Sequence, residues 1–310
     1  YEISPRDWSS DVCSSDLPQA AMTAPPPTSP AEHDPDASLE VPLQAAIAGE
    51  GLELPPLPQV AVEAANLAAS GDGGAAELAR LIQRDVALAS QVMRVANSSL
   101  YARRAPIVSL HQAIAWLGVD AIRNIALAFA VRAQLFGASN FEPQLKMLWR
   151  ESVSVGCFAQ EIARLKRRNV ETAYLCGLLH RVGLAVILWR LGRASLDQGV
   201  QLEEQSMESF VGGFEGQVGT QLARAWNLPE PVAAAIQWFR SPARAAHSKT
   251  EVAQVALARV LAEHLDDAEV ALDKLEVRPM LLQELGIYPV ELGRLLERRD
   301  EIRASVETFL

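Results

Sequence analysis

Apolar residues along this 310-residue chain recur at spacings of three and four, and no stretch sustains the two-residue alternation of a half-buried strand. The pattern predicts an all-α protein from Leu39 onward. Leu54-Pro55-Pro56-Leu57-Pro58 stiffens the chain ahead of a helix expected over 60–69, which stops at Ser70-Gly71-Asp72-Gly73-Gly74. Leu78, Leu81 and Ile82 share one face of the next helix, 75–83. Asp85 caps a helix whose inner face is Leu88, Val92, Val95 and Ala96. Asn97-Ser98-Ser99 ends it, because such side chains bond the nearby backbone. Ser109-Leu110-His111-Gln112 reads as a capping box opening a short helix that Gly118 closes. Asp120 starts another helix, which runs to Phe136-Gly137.

A second helical group begins near Leu145. Its long helix, 148–165, ends in Arg164-Leu165-Lys166-Arg167-Arg168, a basic run suited to a helix C-terminus. A helix over 170–179 leads into Gly177-Leu178-Leu179-His180-Arg181-Val182-Gly183. The glycine-rich segment 211–216 is expected to be a turn before a helix that ends at Trp226-Asn227-Leu228-Pro229. Pro231 opens a helix to about Arg240. The last two helices are expected over 250–264 and, as one piece, 289–309. Trp116, Trp149, Trp189, Trp226 and Trp238 sit beside aliphatic residues at helical positions and are expected in the core.

The first residues do not fit this pattern. Asp11 to Leu17 translate the adapter-like string GAC-GTG-TGC-TCT-TCC-GAT-CT, so residues 1–17 read as a sequencing-adapter artefact and are set aside. Residues 18–38, with Pro25-Pro26-Pro27, Pro30 and Pro35, read as a disordered linker. The expected organisation is then a domain over 39–245, divided at about 140 into two helical subdomains, with C-terminal helices (246–310) packed on it.

Composition narrows the chemistry. Apolar residues make up 49% and aromatic ones 6%, a style that suits an Ala/Leu/Val-rich helical interior. The net charge of −10 argues against a broad nucleic-acid-binding face. The most apolar run, Val182 to Trp189, lies between Arg181 and Arg190 and falls short of the roughly 20 residues a bilayer-spanning helix needs. No membrane partner is therefore expected, and the expected location is the cytoplasm. Cys13, Cys157 and Cys176 lack metal or disulfide spacing, so the two helical ones are expected to be buried, packing thiols.

Five segments in order carry a family resemblance. Leu54-Pro55-Pro56-Leu57-Pro58, Ile82 to Leu88, Val95-Ala96-Asn97-Ser98, Ala113 to Gly118 and Gly177-Leu178-Leu179-His180 resemble the successive signatures of the HDOD domain, over roughly 43–240. The resemblance implies an N-terminal helical bundle packed on a degenerate HD-like helical bundle. It also implies a bacterial signalling output module, often without demonstrated catalysis.

An active HD site would place a histidine on an earlier helix, a His-Asp pair and a further aspartate around one or two ions. Here Glu151 stands where the first histidine is expected, and the pair reads His180-Arg181. Glu215 stands before Gly216 where relatives often keep a histidine, and Phe239-Arg240 replaces a His-His. Of five histidines only His180 occupies a ligand position, and an arginine beside it repels a cation.

The sequence therefore predicts no enzyme, metal or cofactor, but a module that binds another signalling protein in a groove near Asn97, Ser98, His180, Arg181 and Arg240. Two alternatives remain open. One is a metal-dependent phosphohydrolase with unusual ligands; the other is a nucleotide sensor without turnover, with Arg181 and Arg240 on a phosphate. Glu151, Arg181, Glu215 and Arg240 are also able to converge as salt bridges that fill the old pocket.

Overall fold

In the computed structural model, helices begin where the sequence offers caps. It describes residues 54–56, 59, 63, 74–101, 105–136, 141–198, 204–267 and 272–310. The expected artefact, the linker and nearly all of the helix at 60–69 lie outside the described residues. The chain divides into two units: Tyr1–Pro35 lies outside the described residues, and all described residues belong to Asp36–Leu310.

α1 (Gly74–Gln83) and α2 (Val86–Ala96) follow one another through Asp85, whose carboxylate accepts from the Leu88 N–H at 3.0 Å. α3 (Leu110–Leu117) starts at Ser109, whose hydroxyl accepts from the Gln112 N–H. α4 (Val119–Leu135) follows Gly118, whose φ of +88° suits glycine. α2 and α3 pack on α4, which reaches the second group through α6 (Val170–Leu179). α6 itself is capped by Asn169, which accepts from the Thr172 N–H at 2.8 Å.

The second group is built on α5 (Glu142–Leu165), which starts earlier than expected because Pro143 occupies its first turn. Lys166 and its basic neighbours do terminate α5, and Lys166 Nζ reaches Gly286 O at 2.7 Å and Glu291 at 3.1 Å. α5 packs along α6 and along α10 (Lys249–Glu263). α7 (Val182–Gln198) crosses α8 (Glu204–Ala225), and α8 leads to α9 (Glu230–Trp238), which lies against α6. α11 (Pro279–Leu285) packs on α10. No strand occurs among the described residues.

Three expectations are corrected. The glycine-rich segment 211–216 lies inside α8 and is not a turn. The glycines of this region serve close packing: a Cβ on Gly183 of α7 would stand 2.0 Å from Glu215 O of α8. The expected final helix is two, α12 (Pro289–Glu297) and α13 (Arg299–Phe309). The break falls at Arg298, which pairs with the buried Glu161 at 2.9 Å and with Glu301 at 2.6 Å. Finally, Val170–Gly192 is long and apolar enough to cross a membrane, with a mean hydropathy of 1.5 in an 18-residue window. The run bounded by Arg181 and Arg190 leaves out the apolar residues of α6 that precede it. Within this fold 78% of that 18-residue window is buried, so packing against other helices accounts for its apolar character.

Trp149 and Trp226 are buried as expected, whereas Trp116 is 50% exposed on α3. Cys157 and Cys176 are buried free thiols; burial pushes Cys157 up to about 12 and Cys176 higher, which leaves both unreactive at neutral pH.

Candidate functional site

His180 and Arg181 form the turn between α6 and α7, so one points into the bundle and the other along its rim. His180 is fully buried. Its Nδ1 lies 2.6 Å from Gly177 O, and since a carbonyl only accepts, Nδ1 carries the proton. Nε2 is then a bare acceptor with no hydrogen-bond partner, 3.7 Å from Glu151 Oε1. Burial pushes the imidazole below its ordinary pKa despite the opposing pull of Glu151, so His180 is neutral at pH 7. Its ring meets the edge of Phe239 at 4.9 Å.

Arg181 joins two carboxylates on different helices. Its Nη1 donates to Glu151 Oε2 of α5 at 2.6 Å, and its Nε donates to Glu215 Oε1 of α8 at 2.9 Å. Glu215 is nearly inaccessible and accepts at Oε2 from Arg240 Nη2 at 2.7 Å and Nε at 3.1 Å. A buried carboxylate held by two guanidiniums has the pairing that ionised groups away from water require.

Burial pushes the Glu151 carboxyl up, but the pull of a protonated His180 and of Arg181 outweighs it and holds the pKa at about 2; with His180 neutral at pH 7, Arg181 supplies that pull alone. Of the two, Arg181 is the permanent cation, because the His180 proton is committed to Gly177.

The structure therefore brings Glu151, His180, Arg181, Glu215, Phe239 and Arg240 together. It adds Arg259 of α10, absent from the sequence reading, whose Nε lies 3.8 Å from Glu151 Oε1. Phe239 is held between two cations, with Arg240 Cζ at 5.1 Å and Arg259 Cζ at 5.2 Å from its ring centre. The one signal for Arg259 was a lone charge inside the apolar stretch Val255–Leu261.

Asn97 and Ser98 do not join this cluster through their hydrogen bonds. Asn97 clamps the backbone of Ile107, donating to its oxygen at 2.9 Å and accepting from its N–H at 2.8 Å. Ser98 is buried and accepts from Ser305 Oγ of α13 at 3.3 Å. The expected groove is thus corrected: α13 covers Ser98, and Asn97 fastens a loop.

The donor set does not fit a divalent ion. Both carboxylates are committed to guanidiniums, whose charge opposes a metal. Among the described residues no group of three His, Cys, Asp or Glu side chains converges in a way that would hold one.

The described residues form an all-helical domain with the buried His180 and the ion-paired Arg181 at the turn between two of its central helices. A family model described as the HDOD domain matches residues 54–242, and the chain belongs to that family. It is 26% identical over 235 residues to an uncharacterized protein of Treponema pallidum, covering 72% of this chain but only 45% of that relative. The chain thus spans less than half the length of this curated relative. The crystal structure of an HDOD domain protein of unknown function from Geobacter sulfurreducens is similar, with 26% identity and a TM-score of 0.67. That match covers 87% of this chain and 99% of the other. A proposed signal transduction protein from Marinobacter aquaeolei matches with 26% identity and a TM-score of 0.61, covering 90% and 67%.

Proposed function

We infer that this protein is a non-catalytic bacterial signalling module that acts in the cytoplasm by binding another protein. Membership of the HDOD family and likeness to the Marinobacter protein support the signalling part. The observation that carries the non-catalytic part is Arg181, bound to both Glu151 and Glu215 at the place where an HD-type enzyme needs a carboxylate ligand. Its guanidinium takes the charge-neutralising role of an ion without lowering the pKa of any water. The surface best placed to engage a partner is the rim at Arg181 and Arg240, which the ion pairs hold in a fixed arrangement. The net charge of −10 supports a protein partner over nucleic acid.

The test is turnover. The purified full chain, assayed with bis-p-nitrophenyl phosphate and a cyclic dinucleotide in the presence of manganese, is expected to show the background rate. Hydrolysis above background that His180→Ala abolishes would overturn the reading.

A further inference from the structure

Beside the ion-pair cluster, and sharing Phe239, Arg240 and Arg259 with it, the residues that follow α9, one face of α10 and the segment 274–281 line a cavity of about 450 Å³. Four cations line it: Arg240, Arg259, Lys274 and Arg278. Two carboxylates, Glu263 and Glu276, face them, so the lining is cationic in a chain whose net charge is −10. The cations are not consumed by the fold. Arg240 spends Nε and Nη2 on Glu215, and no hydrogen bond of its Nη1 occurs among the described residues. Arg259 has a buried Nε without a hydrogen-bond partner and only long ion pairs, at 3.8 Å to Glu151 and 3.5 Å to Glu263. Lys274 and Arg278 are exposed and make no ion pair among the described residues.

Stacking on Phe239 pre-orders two of these guanidiniums, which lowers the entropy cost of closing them on an anion. Pro242, Val260 and Leu281 supply an apolar wall beside them. The volume exceeds what a lone phosphate fills and lies in the range of sites for small organic ligands. We propose that this cavity binds a nucleoside phosphate, with its phosphates among Arg240, Arg259, Lys274 and Arg278 and its body against the apolar wall. This goes beyond partner binding: the site needs neither turnover nor a second protein.

Calorimetric titration of the full chain with ATP, GTP, tripolyphosphate and adenosine tests it. One or both nucleotides are expected to bind at least about tenfold more tightly than tripolyphosphate, with no heat from adenosine. No heat from either nucleotide at millimolar concentration overturns the proposal, and so does equal affinity for tripolyphosphate. The double variant Lys274→Ala, Arg278→Ala changes two exposed residues outside the ion-pair cluster. It is expected to keep the Tm of the free protein and to lose at least about tenfold in nucleotide affinity. Unchanged affinity in that variant overturns the assignment to this cavity. Hydrolysis by the same protein would contradict the non-catalytic reading and leave this binding result standing, so the two failures are distinguishable.

Discussion

At the scale of single residues, Arg181 decides the character of the pocket. Replacing it with the acid of an HD pair, Arg181→Asp, puts a third carboxyl beside Glu151 and Glu215 and removes the cation they share. Urea unfolding at pH 7 is expected to show a loss of about 3–5 kcal/mol; stability equal to that of the unaltered protein would refute the ion-pair account. Arg240 is 45% exposed and shares Glu215 with Arg181, so Arg240→Ala is expected to cost about 1 kcal/mol.

The pH response follows from two groups of the same cluster. His180 has a lowered folded pKa against an ordinary 6.5, and Glu151 is held at about 2 against an ordinary 4.5. In each case the unfolded chain binds more protons than the folded one just below the ordinary value. Stability is therefore expected to fall as pH drops through 6.5 and to fall more steeply between 4.5 and 2. His180→Gln is expected to flatten the first part and, by removing one of the groups that hold Glu151 low, to make the second part shallower, measured by urea unfolding at pH 7, 5 and 3. A variant with the same slope between pH 7 and 5 would show that His180 is not the group responsible.

At the scale of elements, caps were legible and interhelical crowding was not. Asp85 and Ser109, both read as caps, cap the helices that follow, because a short polar side chain satisfies an orphan N–H whatever the tertiary context; Asn169, which the sequence reading did not single out, does the same for α6. Glycine carries no such sign. Local propensity reads 211–216 as a turn, yet the segment continues α8, and nearby small residues let α7 and α8 approach to backbone contact. The break at Arg298 was equally hidden. Leu292, Leu295, Ile302, Val306 and Phe309 keep helical phase across it, and Glu161, far away in sequence, is what engages Arg298.

Two substitutions separate close packing from conformational freedom. Gly183→Ala drives a methyl into Glu215 O and is expected to cost at least about 2 kcal/mol. Gly213→Ala, on the same helix pair but with nothing within 4 Å of a Cβ, is expected to gain about 0.5–1 kcal/mol. Thermal or urea unfolding reads both, and effects of equal sign would remove the packing argument.

At the scale of the whole molecule, α13 ties the two helical groups together. Phe309 is buried, stacks on Phe129 of α4 at 5.5 Å, and its carbonyl accepts from Trp149 Nε1 of α5 at 3.1 Å and from Arg132. Ser305 accepts from the Leu100 N–H at 2.9 Å and donates to Ser98. Phe309→Ala is expected to destabilise the protein by about 3–5 kcal/mol in urea unfolding, with one cooperative transition. A loss below about 1 kcal/mol would mean that α13 is peripheral.

This closure also explains which parts of the candidate site the sequence displayed. His180 stands out as the ligand type an HD motif expects, and Glu151, Arg181, Glu215 and Arg240 stand out as departures from the types expected at positions the motif defines. Arg259 belongs to no such motif, and the long-range partners of Asn97 and Ser98 depend on how α13 and the 105–109 loop fold back.

The central claim is that guanidiniums stand where an HD-type protein would keep ions. Its most direct test is the metal content of the full chain, purified without chelators and measured by inductively coupled plasma mass spectrometry. Iron, manganese and zinc are each expected far below one per chain, unchanged in His180→Ala. One bound ion per chain, lost in His180→Ala, would contradict it.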